Sequence, residues 1–439
     1  MRHSMCRVKR LFLRIYKQWH WLIAAAMFLQ MGIFIGIANN RCLFVIPVST
    51  SLGISRSMYS LSGSFSNLCS FLIIMFSGVF VKKYGYRKMA FIGLPLAAAG
   101  YLLVAVCQGY SGLLAGSLLT GIAYGLCSTT SVNRVINDWF HRYRGTVLGA
   151  VSAASGIGGS ICCTALSAAM NRNSWRSAYL LCAALMGVLF LVNFLIVRDN
   201  PAVIGLRPFG DGEITTKRKG RASVREDAYS GRDFSELLHL PVFWVAIFVL
   251  IVTYVSIYLP NTVIVAHLQD RGFAEAEAVK IQSILMLILT AAKIVCGLLI
   301  DLIGVRAVSL FCLACGAVTM LLLPKVGTFG GALCAVTFYA FALPLTTITV
   351  PILTMDLFGY KSYTAAVGVF SSMISVGGML AAPLSNSIFD HFNSYTLAFR
   401  AGTIAILTII PLYLLIFGLA DREKSIGQTV RSSSAPELR

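Results

Sequence analysis

The sequence predicts an all-α membrane protein, with twelve transmembrane helices in two pseudo-symmetric six-helix halves. Three observations carry this expectation. The chain of 439 residues is 57% hydrophobic and only 12% charged, and its apolar residues fall in long runs that a soluble domain could not bury. Those runs number about twelve, each near the ~20 residues that a ~30 Å hydrocarbon layer requires. The chain also repeats itself at a nearly constant offset.

The runs lie at 20–46, 58–81, 89–107, 112–136, 146–168, 177–197, 241–267, 277–300, 307–323, 329–355, 363–388 and 396–419. The first is too long for a cleaved signal and reads as a membrane anchor. Between Asp199 and Leu240 a polar segment contains Pro201, Gly205, Pro208, Gly210, Gly212, Gly220 and Gly231. It reads as a tether with one short interfacial helix near Asp233 to Leu238. The expected organisation is a six-helix half over 1–198, a linker over 199–240, a second half over 241–420 and a tail over 421–439.

The repeat is visible residue by residue. Gly78, Gly85 and Arg87 share their spacing with Gly297, Gly304 and Arg306, 219 positions on. The same offset aligns Gly149, Ser152, Gly158 and Gly159 with Gly368, Ser371, Gly377 and Gly378. One position out of register, Asn173, Ser174, Trp175, Ala178 and Tyr179 match Asn393, Ser394, Tyr395, Ala398 and Phe399. Several matches at one offset mark a duplicated architecture.

A net charge of +19 would suit a nucleic-acid binder, but its distribution excludes that reading. Twenty-six of the 36 Lys and Arg fall before span 1, after span 12 and in the loops on that same side, eight in the loops and span ends of the other side, and two inside spans. This positive-inside bias places both termini in the cytoplasm of a cell membrane, with basic stretches such as Lys217 to Arg221 near anionic headgroups.

The two intramembrane cations are Lys293 and Arg134. Lys293 precedes Asp301 by eight residues, which places it ~12 Å from the inner edge and near the midplane. An ionisable residue there is costly and faces a cavity or partner as a rule, so Lys293 reads as an anion-binding group. Arg134 could supply a second anion contact, although Asp138 at i+4 can neutralise it on the same helix.

Other chemistries find no support. There is no G-x-S-x-G and no metal-spaced His cluster. Of the six His, His20 and His267 lie near span ends, and His267 reads as an outer-edge residue. The 12 Cys are scattered, and Cys312 and Cys315 form a C-x-x-C with no second pair to complete a zinc site, so they read as packing residues. No enzyme activity, cofactor, metal or nucleic-acid partner is expected.

With these residues in view, the chain resembles the major facilitator superfamily. Gly78 to Lys88 and Gly297 to Arg306 resemble its loop motif and the echo of that motif. Leu52 to Ser57, the stretch Trp139, Phe140, Arg142, Arg144, Gly145, Gly149, Gly156 and Gly158, and Asn200 to Pro208 resemble the branch of monocarboxylate transporters and oxalate/formate antiporters. Two departures stand out. Lys82 occupies the usual Asp position of the first loop motif, whereas the second copy keeps Asp301. The aromatic pattern of animal monocarboxylate carriers is reduced to Trp19, His20 and Trp21.

The resemblance implies a monomeric secondary or exchange transporter of small organic anions, monocarboxylates in particular, in the lipid bilayer, with a proton or a counter-anion as coupling partner. It implies a substrate-binding basic residue at Lys293, four residues before Gly297, and a substrate path along the part of span 1 that holds Asn39 and Asn40. It gives Gly78, Gly85, Arg87, Gly297, Asp301, Gly304 and Arg306 a role in conformational gating. Related carriers place an acid four residues before the basic one; here that position is Leu289. Either Lys293 exchanges the proton, or the carrier works by exchange or facilitated diffusion. Residues 363–388 hold no charge, so a dicarboxylate would leave one anion uncompensated and a monoanion is favoured. An exporter of drugs or sugars and a transporter-like sensor are the alternatives; Lys293 disfavours a cationic drug.

Overall fold

The computed structural model describes residues 18–127, 129–210, 234–358 and 363–433. Twelve helices among them are long and apolar enough to span a membrane. In the first half these are α1 (Trp19–Leu52), α2 (Arg56–Tyr84), α3 (Tyr86–Val106), α4 (Tyr110–Leu126, continued by Thr129–Trp139), α5 (Arg144–Arg172) and α6 (Trp175–Ile196). A short helix, Phe234–Leu238, sits where one was expected. The second half comprises α7 (Pro241–Asp270), α8 (Glu275–Ile303), α9 (Val305–Leu322), α10 (Phe329–Ala342, continued through Leu345–Thr349 and Val350–Phe358), α11 (Tyr363–Phe392) and α12 (Thr396–Ser433).

Most helices run past the apolar stretch that revealed them, because hydropathy marks the hydrocarbon layer while helical hydrogen bonding continues to a stop signal. For α1 that stop is Gly53, left-handed at φ 63°. Helix α7 continues to Asp270, and His267 lies in its last turn. It is 3% exposed, hydrogen-bonded through Nε2 to the Leu323 carbonyl at 2.9 Å and packed edge-on against Phe399. Helix α12 likewise runs to Ser433, beyond the 419 expected.

Helix α1 is irregular. A π-helical turn occupies Met31–Ile35 and a 3-10 turn occupies Arg41–Phe44, the latter where Asn39, Asn40 and Arg41 break the apolar run. A second π turn, Leu345–Thr349, follows Pro344 in α10.

Packing divides the chain into two compact units, one of Met1–Arg41 and Leu72–Arg221, the other of Cys42–Phe71 and Ala222–Arg439. In the first, α3 lies against α4 and α6, and α1 against α5. In the second, α9 lies against α10 and α12, and α7 against α11. These are the same pairs six helices later, so the sequence repeat is also a repeat of packing.

Small residues set the closest approaches, as expected where lipid offers no hydrophobic drive between helices. A Cβ added at Gly158 on α5 would land on the backbone of Gly32 on α1, and one added at Gly36 would lie 2.9 Å from the Gly158 carbonyl carbon.

The start of the expected linker is docked on the first unit. The Phe209 N–H donates to the Trp139 carbonyl at 2.9 Å, and the Phe209 carbonyl accepts from the N–H groups of Arg142 at 2.9 Å and His141 at 3.1 Å. The Phe209 ring sits among His20, Trp21 and Phe140, with centroids 5.6 to 5.9 Å apart. Trp139 Nε1 donates to the Arg198 carbonyl at 2.9 Å. This segment is a seal before it is a tether.

Candidate functional site

Helix α8 presents two faces. Leu287, Ile294, Leu298 and Leu302 are 50 to 79% exposed and form its lipid side. Leu285, Leu289, Ala292, Cys296 and Ile300 are buried on the other side, and Lys293 joins them at 9% exposure. The ammonium is therefore carried on the protein-facing side of the helix. Two turns of helix separate it from Asp301, too far for a snorkelling side chain to bring the charge to the interface.

Of the other expected contacts, Asn39 is half-buried on α1, and Asn40 is fully buried. Asn40 Nδ2 donates to the Gly36 carbonyl at 2.7 Å and to the Gly159 carbonyl at 2.8 Å, pinning α1 to α5. Arg134, in the Thr129–Trp139 part of α4, lies 3.8 Å from Asp138, and both side chains are more than two-fifths exposed. This is the i,i+4 pair expected from spacing, worth a few tenths of a kcal/mol on an exposed helix face. Asn39, Asn40 and Arg134 belong to the first unit and Lys293 to the second.

The loop-motif residues fall into two matching clusters. Gly85 starts α3 at φ 80° and Gly304 starts α9 at φ 86°. In the first cluster the Arg87 N–H donates to Asp199 Oδ1 at 2.7 Å, and the Arg87 guanidinium donates to the Phe194 carbonyl at 3.1 Å while lying over the Phe194 ring. Burial first, and then the charge of Arg87, pull the Arg198 guanidinium below its ordinary range. In the second cluster Arg306 donates through Nε to Asp356 and through a terminal nitrogen to Asp421, both at 2.7 Å, and lies over the Phe417 ring.

Asp301 is exposed at the end of α8, and the carboxylates paired with Arg306 are those of Asp356 and Asp421. Gly297 lies in α8 with no atom within 4 Å of a Cβ built there, so no close approach depends on it in this conformation. Gly78 lies within α2; its surroundings and the Lys82 side chain fall outside the described residues. Sequence reasoning missed Asp199, Asp421, Phe194 and Phe417. Their signal was available: each acid follows the last span of its half, at nearly the repeat offset.

A small cleft opens in the second unit, lined by Val249, Leu250, Leu353, Phe370, Tyr413 and Phe417 among others. Its lining is mostly apolar and does not include Lys293.

Comparison with known proteins agrees with this architecture. The sequence model of the Major Facilitator Superfamily matches residues 21–382. The chain is similar to Monocarboxylate transporter 12 of Mus musculus, 24% identical over 411 residues that cover 87% of this chain and 82% of that protein. It is also similar to Monocarboxylate transporter 2 of Mus musculus, 22% identical over 455 residues and covering 95% of this chain and 88% of that protein. Crystal structures of the nucleoside transporter NupG superpose with TM-scores of 0.71 for a mutant and 0.66, at 12% and 14% identity, each covering 91% of this chain. At that identity the likeness establishes the fold. With twelve apolar helices in two repeated sets, the protein is a multi-pass membrane transporter, and the chain belongs to the Major Facilitator Superfamily.

Proposed function

We propose that the protein carries small organic anions, monocarboxylates first among them, across a cell membrane by alternating access, with Lys293 as the group that meets the carboxylate. The observation that carries this reading is the placement of Lys293 on the protein-facing side of α8, the side on which Leu289, Ala292 and Cys296 are also buried. An intramembrane cation on the protein-facing side of a helix is suited to meeting an anion. Similarity to monocarboxylate transporters over most of the chain supports the same substrate class.

Of the two amides on α1, Asn39 is the better substrate contact, because both N–H groups of Asn40 are spent on carbonyls. Arg134, half exposed beside Asp138, suits attraction of anions toward the inner mouth more than their fixation. The loop-motif arginines act on conformation: Arg87 and Arg306 fasten the inner ends of helices within each unit. The positive-inside charge distribution supports a cytoplasmic position for both termini. A monomer is the working unit, and exchange against a counter-anion is the favoured mode.

Counterflow into proteoliposomes with a panel of labelled mono- and dicarboxylates tests the proposal. A monocarboxylate exchanging through the native protein, and not through Lys293→Ala, is the expected result. Exchange of nucleosides or sugars with no carboxylate transport would replace this reading with another.

A further inference from the structure

By sequence α2 belongs with α1 to α6, yet by packing its first half, up to Phe71, belongs with α7 to α12. What holds it there is a closed polar circuit at the end of the bundle opposite the termini. Arg56, the first residue of α2, grips Asp270, the last of α7, with two nitrogens at 2.6 and 2.9 Å. Its guanidinium also donates to the Tyr395 hydroxyl at 3.1 Å and stacks 3.8 Å above the Phe389 ring. The Tyr395 hydroxyl donates to Asn386 Oδ1 at 2.7 Å, Asn386 Nδ2 donates to Ser60 Oγ at 2.7 Å, and Ser60 Oγ donates back to the Arg56 carbonyl at 2.9 Å. Asp390 adds a cap on the Ser57 N–H at 3.0 Å.

Asn386, Tyr395 and Ser60 are at most 4% exposed. A bidentate charged pair is among the strongest hydrogen-bonded contacts. Each of these buried groups is satisfied by the next, so the circuit cannot loosen one bond at a time without stranding a polar atom. The remainder of α2, from Leu72 onward, is part of the first unit, so one helix connects this circuit to the other body of the transporter.

We propose that the Arg56–Asp270 pair is the latch that keeps the outer end closed, and that the circuit through Tyr395, Asn386 and Ser60 makes its release all-or-none. The word outer rests on the orientation under Proposed function; the latch itself does not depend on the substrate.

The test places a reporter cysteine two turns below the latch, Ser64→Cys, where Ser64 is 8% exposed and bonded to the Met379 carbonyl of α11. Labelling by a membrane-impermeant maleimide is followed in right-side-out and inside-out vesicles, with the parent lacking Ser64→Cys giving the background of native cysteines. Arg56→Gln and Asp270→Asn are each expected to raise labelling from the outside by about tenfold, the shift expected for loss of a charged hydrogen bond. The swap Arg56→Asp with Asp270→Arg is expected to restore protection. Unchanged labelling in either single variant at normal membrane abundance, or a rise that the swap does not reverse, would overturn the latch. A reversible rise seen only in inside-out vesicles would keep the latch and overturn the orientation.

Discussion

Gly85 and Gly304, 219 positions apart, hold nearly the same backbone conformation, φ 80° and ψ 157° in one and φ 86° and ψ 156° in the other. This region of the backbone map is open essentially to glycine alone. Two residues after each comes an arginine that lies over a phenylalanine of the last helix in its half, Arg87 on Phe194 and Arg306 on Phe417. The repeat thus survives in conformation and stacking even where its acids have moved.

The two glycines should nevertheless differ in tolerance. A Cβ at Gly304 meets no atom within 4 Å, whereas one at Gly85 would strike the Asp199 carboxylate. Gly304→Ala should cost about 1 to 3 kcal/mol of backbone strain, and Gly85→Ala more. Thermal unfolding of the purified variants in detergent checks the order; equal losses would mean that Asp199 yields freely.

Lys293→Ala should abolish carboxylate transport while leaving membrane insertion intact, since removal of a charge eases insertion by about 2 to 3 kcal/mol on translocon scales. Normal uptake by a well-expressed variant would remove Lys293 from the binding site.

The inner clusters predict an asymmetry between acids. Arg306 is held by Asp356 and Asp421, whereas Asp301 is exposed. Asp356→Asn and Asp421→Asn should therefore change the rate of exchange more than Asp301→Asn, and Lys82→Ala should be mild. Half-times of exchange at saturating substrate report this. A dominant effect of Asp301→Asn would mean that the acid engages in the opposite conformation.

Asn40→Ala removes two buried bonds, one within α1 to the Gly36 carbonyl and one from α1 to the Gly159 carbonyl of α5. Its expected effect is a stability loss of about 1 to 2 kcal/mol with unchanged apparent affinity. Weakened affinity at full stability would return Asn40 to the substrate path.

Coupling can be read directly. Leu289 stands where related carriers place an acid, so preloaded substrate should accelerate uptake more than an imposed proton gradient does. Uptake into proteoliposomes with and without internal substrate, and with and without the gradient, separates the two. Uphill accumulation driven by the gradient alone would identify a proton carrier and end the exchange reading.

The architecture was legible because its signals are local: apolar runs count the helices, and an offset of 219 finds the repeat. Lys293 was legible for the same reason, as a charge within a run. The latch was not, because Arg56 and Asp270 are separated by 214 positions, and neither looks unusual at a span end. Asp199 and Asp421 were not legible because each lies beyond the last span of its half, more than 110 positions from the loop-motif arginine that it meets. The contacts of His267 were not legible, because hydropathy does not show that its ring packs against Phe399 and reaches the Leu323 carbonyl.

The docking of Phe209 has a consequence for how the chain would be cut. A protease needs several residues of extended, yielding backbone, and Arg198 and Arg207 offer none. The Arg198 carbonyl is held by Trp139 and the Arg207 carbonyl by His20, with the Pro201–Ile204 turn between them. Trypsin admitted to the inner face should spare both bonds, and a fragment bearing α1 to α6 should keep Phe209 near its new C-terminus as a plug over its aromatic pocket.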